Sequence, residues 1–326
     1  MNFTRHQFIH LAAVVVPIFL LALSGHGAWS QVTRTIKIIV PASPGGLNDI
    51  LARLLGEQVA RMQGITVVIE NRPGAGTVIG TESAARAAPD GNTLLVEATP
   101  FLINPQIRRL NYDPLTSFEP ICRLVSSPTL IVVNSTSPHR MLADLIDAAR
   151  AMPNTVTMAS VGPGSPYQIG FEMLKRAAKV EMTFVPYPGN APAVSALLGE
   201  HVTSMFGTYS DVAEYVKAGK LRPLATGARS RIQWLPELPT VAELGYKGYE
   251  VDSWFGVYAP ANTPKETLSK LADWFAAALQ APEVRTKLLA QGLYPVGTCG
   301  SDFAVYLREQ YEEYGRIIRE ANIKAE

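Results

Sequence analysis

Histidine and cysteine are scarce in this sequence, and so are the motifs that usually carry catalysis. The chain has five histidines, of which only His139 and His201 lie beyond residue 30, and two cysteines, Cys122 and Cys299. The metalloprotease pattern H-E-x-x-H, the redox pattern C-x-x-C and the hydrolase elbow G-x-S-x-G do not occur. The sequence therefore predicts neither an enzyme nor a His/Cys metal site, and no cofactor is expected.

An excess of charge of either sign is also lacking. There are 29 Lys and Arg against 28 Asp and Glu, for a formal net charge of +1. A nucleic-acid binder would be expected to cluster basic residues on one face, so such a partner is not indicated. The hydrophobic content of 47% supports folded cores rather than disorder.

The first thirty residues differ from the rest. Arg5 is their only formal charge, and an apolar stretch runs from Leu11 to Leu23. That stretch is shorter than the roughly 20 residues that span a bilayer, which argues against the alternative of a retained membrane anchor. Small residues lead up to Ser30, as at a secretory cleavage site. We interpret residues 1–30 as a signal peptide cleaved near Ser30/Gln31 and expect a soluble exported protein.

Beyond this leader, short apolar runs alternate with segments of helical length. Thr35–Val40 is predicted as a strand, Leu47–Met62 as a helix and Ile65–Ile69 as the next strand. Such a rhythm indicates βαβ units whose parallel strands are buried on both faces. The number of strands fits two α/β lobes better than one open sheet, with crossing points near Val133 and Val251.

Glycine-rich turns follow several predicted strands. In open α/β sheets, ligands bind beyond the carboxyl ends of the strands, where helix amino termini offer unpaired N–H groups. In the turn 41–49, Gly45 and Gly46 would let the backbone approach a ligand, while Asp49 would cap or orient the turn.

Three later turns repeat this arrangement, at 160–166, 186–191 and 207–210. Each alone reads equally well as an ordinary turn or helix cap, but several together predict a cleft that binds a small anion such as a carboxylate. The candidate ligand-binding residues are Gly45, Gly46 and Asp49 in the first turn and, after it, Thr99, Gly164, Ser165, Tyr187, Ala191 and Thr208.

One glycine segment resembles a dinucleotide fingerprint. The segment 74–80 has the spacing G-x-G-x-x-x-G, which is one residue longer than the pattern requires. Nicotinamide binding is therefore not predicted.

Ordered motifs extend through nearly the whole chain beyond the leader. They are 40–53 (VPASPGGLNDILAR), 68–76 (VIENRPGAG), 89–95 (PDGNTLL), 185–192 (VPYPGNAP), 218–222 (AGKLR) and 238–243 (LPTVAE). From about Ile36 to Lys324, the sequence resembles the receptors of tripartite tricarboxylate transporters, also called the Bug family of periplasmic binding proteins.

This resemblance implies a two-lobed periplasmic binding protein of type II, a Venus flytrap with two doubly wound sheets and two crossing segments. Lobe 1 would comprise residues 31–132 and 253–326, and lobe 2 residues 133–252. Both cysteines would then lie in lobe 1. This favours a disulfide between them, which the residues alone leave open.

The resemblance also implies a ligand set. In the family, the loop after the first strand and the glycine loops of lobe 2 hold a ligand carboxylate. This points to Gly45, Gly46 and Thr99 from lobe 1, and to Gly164, Ser165, Tyr187 and Ala191 from lobe 2. Many members carry Asp where this chain has Gly207, so an amino acid is a less expected ligand unless Asp211 substitutes.

The implied function is capture of a small carboxylate by lobe closure in the periplasm, followed by delivery to the membrane permease subunits of the transporter. The chain is expected to be a monomer. A sensor-associated binding protein and a secreted hydrolase or isomerase using the same cleft remain as alternatives. The identity of the carboxylate is left open.

Overall fold

The computed structural model describes residues 34–162 and 165–324, so the expected signal peptide and Gly164 lie outside the described residues. In this range the chain forms ten strands and ten helices, numbered here in chain order. The strands are β1 Thr35–Val40, β2 Thr66–Asn71, β3 Thr93–Ala98, β4 Phe118–Asn134, β5 Thr157–Val161, β6 Thr183–Tyr187, β7 Ser204–Thr208, β8 Leu221–Thr226, β9 Asp252–Pro260 and β10 Tyr294–Cys299. The helices are α1 Leu47–Gln63, α2 Val78–Ala85, α3 Pro100–Ile107, α4 Leu142–Ala151, α5 Pro166–Ala178, α6 Asn190–Leu198, α7 Tyr209–Lys217, α8 Lys265–Gln280, α9 Pro282–Ala290 and α10 Ser301–Ala321.

Two sheet regions share the long strand β4. In the first sheet region, β1 lies parallel between β2 and β3, and β9 joins β3 to the part of β4 between Phe118 and Pro128, with β10 on the far edge. In the second sheet region, β5 lies parallel between β6 and β7, while β7 and β8 pair with the part of β4 from Thr129 to Asn134. The 17 residues of β4 are enough to run through both regions, whereas an average strand has about 5–6.

Apolar cores cover both faces of each sheet region. In the first region, α1, α8 and α9 pack on one face, and α3 and α10 pack on the other. In the second region, α4 and α5 cover one face, and α6 and α7 cover the other. Representative core side chains are Ile38 and Phe275, Leu95 and Phe303, Ile131 and Phe171, and Leu130 and Val194. The predicted α/β class with two doubly wound sheets is confirmed, while the lobe boundaries 31–132, 253–326 and 133–252 stay a prediction.

The cysteines lie opposite each other at one edge of the first sheet region. Cys122 of β4 and Cys299 of β10 are register partners in this antiparallel pair and form a disulfide. The pairing that the residues alone left open is therefore present.

Each helix in the described part of the chain is too short or too polar to cross a bilayer.

Candidate functional site

The turn after β1 is held in shape by one buried carboxylate. Asp49, in the first turn of α1, accepts hydrogen bonds of 2.9 Å from the Gly45 amide, from Nε of Arg53 and from Nδ2 of Asn71. Gly45 has φ +82°, in the left-handed region that favours glycine. Gly46 is the N-cap of α1 and makes no side-chain cap hydrogen bond. The amides at the start of α1 therefore lie next to an exposed glycine pair.

The pKa of Asp49 is consistent with a role in holding this turn. Burial disfavours its charged form, but the hydrogen bonds from Arg53, Gly45 and Asn71 together hold the pKa of Asp49 below its ordinary value. Its side chain is only 4% exposed and already has three protein donors. Asp49 thus stabilises the turn, as its position in the sequence suggested.

The turn after β5 is closed by Ser165. Its hydroxyl donates to the carbonyl of Val161 at 3.0 Å and accepts from the amide of Gln168 at 3.3 Å, so it caps α5. The Gly162 amide donates to the carbonyl of Tyr187 at 3.1 Å, which ties this turn to the end of β6. The structure therefore brings the predicted residues Ser165 and Tyr187 to the same edge of the second sheet region.

The helix that follows β6 begins without a side-chain cap. Gly189 is the N-cap of α6, and no side-chain oxygen accepts from the first turn. Ala191 is the second residue of the helix and is exposed, while Tyr187 is partly buried beside it. Because the first amides of a helix have no intrahelical acceptor, this exposed helix start offers donors to an anion.

The turn after β7 contains a partly buried acid, Asp211. Thr208 donates to Oδ2 of Asp211 from its amide at 2.9 Å and from its hydroxyl at 2.6 Å. Burial raises the pKa of Asp211, and hydrogen bonds with Thr208 and with the Asn190 side chain act in the opposite direction. Thr208 is itself buried, so in this structure its hydroxyl serves the helix start of α7.

Three further polar residues, Tyr167, Asn190 and Ser253, lie together between the two sheet regions, and the sequence did not predict this contact. Burial raises the pKa of Tyr167, the nearby charge of Asp211 raises it further, and hydrogen bonds with Asn190 and Ser253 oppose both. Oδ1 of Asn190 is buried and has no hydrogen-bond partner among the described residues. Tyr167 belongs to α5, Asn190 starts α6, and Ser253 lies on β9, so three elements converge here.

Thr99, which follows β3, is hydrogen-bonded to β9, the strand that carries Ser253. It is fully buried, and its hydroxyl accepts a hydrogen bond of 3.1 Å from the amide of Trp254, the residue after Ser253. Since β1 and β3 are parallel neighbours, the turn at Gly45 and Gly46 lies at the same edge as Thr99. We call the group Thr99, Tyr167, Asn190, Thr208, Asp211 and Ser253 the polar hinge cluster.

The groups at these turns are suited to binding an anion. Backbone amides at two exposed helix starts and neutral hydroxyl and amide side chains suit a carboxylate. His139 and His201 line one surface pocket with Glu200, and His201 precedes β7, whereas the glycine turns follow the strands. Within 34–162 and 165–324, no group of three or more His, Cys, Asp or Glu residues is arranged to hold a metal. Ligand contact at the predicted residues stays a prediction.

Comparison with known proteins gives a consistent result. A family described as the tripartite tricarboxylate transporter family receptor matches residues 51–323. Protein BugT of Bordetella pertussis is 31% identical over 332 residues, which cover 99% of each chain.

Solved structures match over most of the chain. An R. palustris protein solved with adipate is 31% identical, with a TM-score of 0.77 over 90% of this chain and 99% of that one. MatC from Rhodopseudomonas palustris with bound malate is 29% identical, with a TM-score of 0.72 over 87% of this chain and 99% of that one.

Proposed function

The chain belongs to the tripartite tricarboxylate transporter family of receptors, which are periplasmic solute-binding proteins, and from this premise we propose that it captures a small carboxylate outside the cytoplasm and delivers it to a permease of that transporter type. The observation that carries the proposal is the pair of exposed helix starts, one at Gly46 and one at Asn190–Ala191. At each start, the first-turn amides have no intrahelical acceptor and lie at the positive end of a helix dipole.

The carboxylate class is supported by both chemistry and similarity. Two similar proteins were solved with adipate and with malate, which are both carboxylates. In this chain, the exposed turn at Gly45 and Gly46 carries no side chain that would obstruct a ligand. A small acid is thus the ligand that the first-turn amides of α1 and α6 would recognise best.

Capture would proceed by closure of two lobes about the crossing strands β4 and β9. The open form contacts the acid from one side only, so ligand binding favours the closed form in proportion to the contacts that closure adds. Micromolar affinity corresponds to about −8 kcal/mol. A few charge-assisted hydrogen bonds of about 1.5–3 kcal/mol each supply that amount after the cost of ordering is subtracted.

The remaining parts of the proposal concern location and partners. Residues 1–30 direct the chain to the periplasm and are removed, and the receptor works there as a monomer. The permease subunits recognise its closed form. The similarity to periplasmic receptors supports this placement.

The test uses the mature secreted chain. After removal of co-purified ligand, isothermal titration calorimetry and thermal shift are recorded over mono-, di- and tricarboxylates, aromatic acids and nicotinate. We expect at least one acid to bind with micromolar or tighter affinity and with one site per chain. If no acid in the panel binds to protein that circular dichroism shows to be folded, the proposal is wrong.

A further inference from the structure

A cavity whose lining residues differ from those of the polar hinge cluster lies beside β4 and β9. Its volume is about 460 Å³, within the roughly 300–1,000 Å³ of small-molecule sites. Its walls come from β4 and β9, from β10 and α10, and from the segment 228–232 that follows β8. None of its lining residues belongs to the predicted ligand set or to the polar hinge cluster.

Asp252 lines this cavity, and its carboxylate is incompletely hydrogen-bonded. Oδ2 of Asp252 accepts a hydrogen bond of 2.7 Å from the hydroxyl of Ser126, whereas Oδ1 is buried and has no partner among the described residues. Burial raises the pKa of Asp252 to about 6 with a smaller contribution from the charge of Glu250, although hydrogen bonding with Ser126 and with the Thr129 backbone and the charge of Arg123 act against this rise. Asp252 is thus an acceptor whose hydrogen bonding by the described residues is incomplete.

Arg123 lines the same cavity, and its guanidinium group is incompletely hydrogen-bonded. The guanidinium carbon of Arg123 lies 4.2 Å from the centroid of the Tyr306 ring, which fixes the side chain by a cation–π contact. Its Nε is buried and has no hydrogen-bond partner among the described residues. Leaving a buried donor unpaired is unfavourable, so this position favours occupancy by an acceptor.

The rim repeats the pairing of opposite charges. Arg229 and Glu250 both line it, and the hydroxyl oxygen of Tyr294 accepts from the Gln233 amide at 2.6 Å, which leaves the hydroxyl proton able to donate. A dicarboxylate would place a second negative charge near Asp252 and Glu250, which is unfavourable. A molecule with one charge of each sign would meet a complementary group at each end.

We propose that this cavity binds a second small molecule that carries both a carboxylate and an ammonium group, with the carboxylate at Arg123 and the ammonium at Asp252. The site is separate from the carboxylate site of the proposed function. Because segment 228–232 follows a strand of the second sheet region and Tyr294 belongs to the first, a bound molecule contacts both regions.

The test compares matched probes on the mature chain, in the presence of a saturating carboxylate if one has been found. Glycine and 4-aminobutanoate are titrated by calorimetry beside acetate and butanoate, which lack only the amine. We expect at least one amino acid to bind with one additional site per chain. Its amine-free counterpart should bind at least 10-fold more weakly.

Substitution then assigns the site. Asp252→Asn should weaken that amino acid at least 10-fold, while the exposed control Asp147→Asn leaves its affinity unchanged. If Asp252→Asn does not fold, the rim variant Glu250→Gln should still weaken it at least 3-fold. Binding of none of the probes, or equal binding by the pocket variant and the control, overturns the inference. Carboxylate binding that Asp252→Asn leaves intact shows that the proposed function stands independently.

Discussion

Cys122 and Cys299 are register partners on β4 and β10, and their disulfide links positions 177 residues apart. Both ends lie in the first sheet region, on strands that are hydrogen-bonded neighbours. The link therefore fastens the C-terminal part of the chain to the strand that also enters the second sheet region.

The first prediction concerns this link. Closing a loop of this length restricts the unfolded chain, so replacing both cysteines by Ala should lower the free energy of unfolding by about 3–5 kcal/mol. Urea denaturation of the variant and the oxidised protein measures the difference. A reductant should destabilise the parent protein and leave the double variant unchanged. An unaltered midpoint for the reduced parent protein would contradict the prediction.

The second prediction concerns the exposed turn after β1. Gly46 has φ −72°, which alanine adopts freely, and an added Cβ would lie 3.3 Å from the Ser43 carbonyl oxygen. We expect Gly46→Ala to weaken carboxylate binding about 10-fold by obstructing the amides, with a stability change below about 1 kcal/mol.

Gly64 provides the matched control for that variant. It lies at the other end of α1 with φ +64° and open space around it. Gly64→Ala should cost about 1 kcal/mol of stability through backbone strain and leave the affinity unchanged. Calorimetry that shows equal affinity for both variants would argue against ligand contact at the turn.

The third prediction concerns the charge of Asp49. Its pKa is lower in the folded protein than its ordinary value, so its ionised form stabilises the fold. That contribution is complete above the unfolded pKa of about 4 and is lost as the pH falls through the lowered folded value. Asp49→Asn should therefore destabilise the protein more at pH 7 than at pH 3, as measured by urea unfolding.

The exposed pair of Asp147 and Arg150 supplies a comparison for Asp49. Asp147→Asn should change the stability by less than about 1 kcal/mol at neutral pH, because exposed ion pairs contribute little. If Asp49→Asn behaves like Asp147→Asn, the turn does not depend on the buried carboxylate.

The fourth prediction concerns the polar hinge cluster. Asn190→Asp keeps the shape of the side chain but places a second carboxylate beside Asp211, whose pKa is already raised by burial. Like charges at close range disfavour ionisation of both groups and would repel an anionic ligand. We expect binding at pH 8 to weaken at least 10-fold and to recover in part towards pH 5, as one carboxyl takes up a proton.

The control for Asn190→Asp is Asn262→Asp, an exposed position with φ +67° that aspartate tolerates. Its affinity should match that of the parent protein throughout this pH range. Unchanged ligand affinity in Asn190→Asp at pH 8 would place Asn190 outside the binding site.

Much of the fold follows from the apolar runs. β1 was predicted as Thr35–Val40 and is found with those bounds, because a parallel strand buried on both faces gives a continuous apolar segment. β10 was missed, since Pro295 and Gly297 interrupt a half-buried edge strand whose pairing with β4 shifts in register. The first part of β4 was also missed, because Pro120 and Arg123 break its apolar pattern.

The site was predictable to a smaller extent. The glycine turns were visible because turn chemistry is local, and the orienting role of Asp49 follows from its place four residues after Gly45. Tyr167 and Ser253 carry no local signal, since their contact joins positions far apart in the chain. Such a contact depends on how the helices pack on the sheet, which a local sequence pattern does not predict.

The position of the disulfide determines which movements of the two sheet regions it can restrain. The chain passes between the sheet regions within β4 and at the start of β9, near the pair Pro128–Asp252, and the disulfide lies wholly on one side of that pair. A rotation of the second sheet region about this pair would leave the distance between the bridged strands β4 and β10 unaltered. The disulfide therefore strengthens the first sheet region and places no restraint on such a rotation.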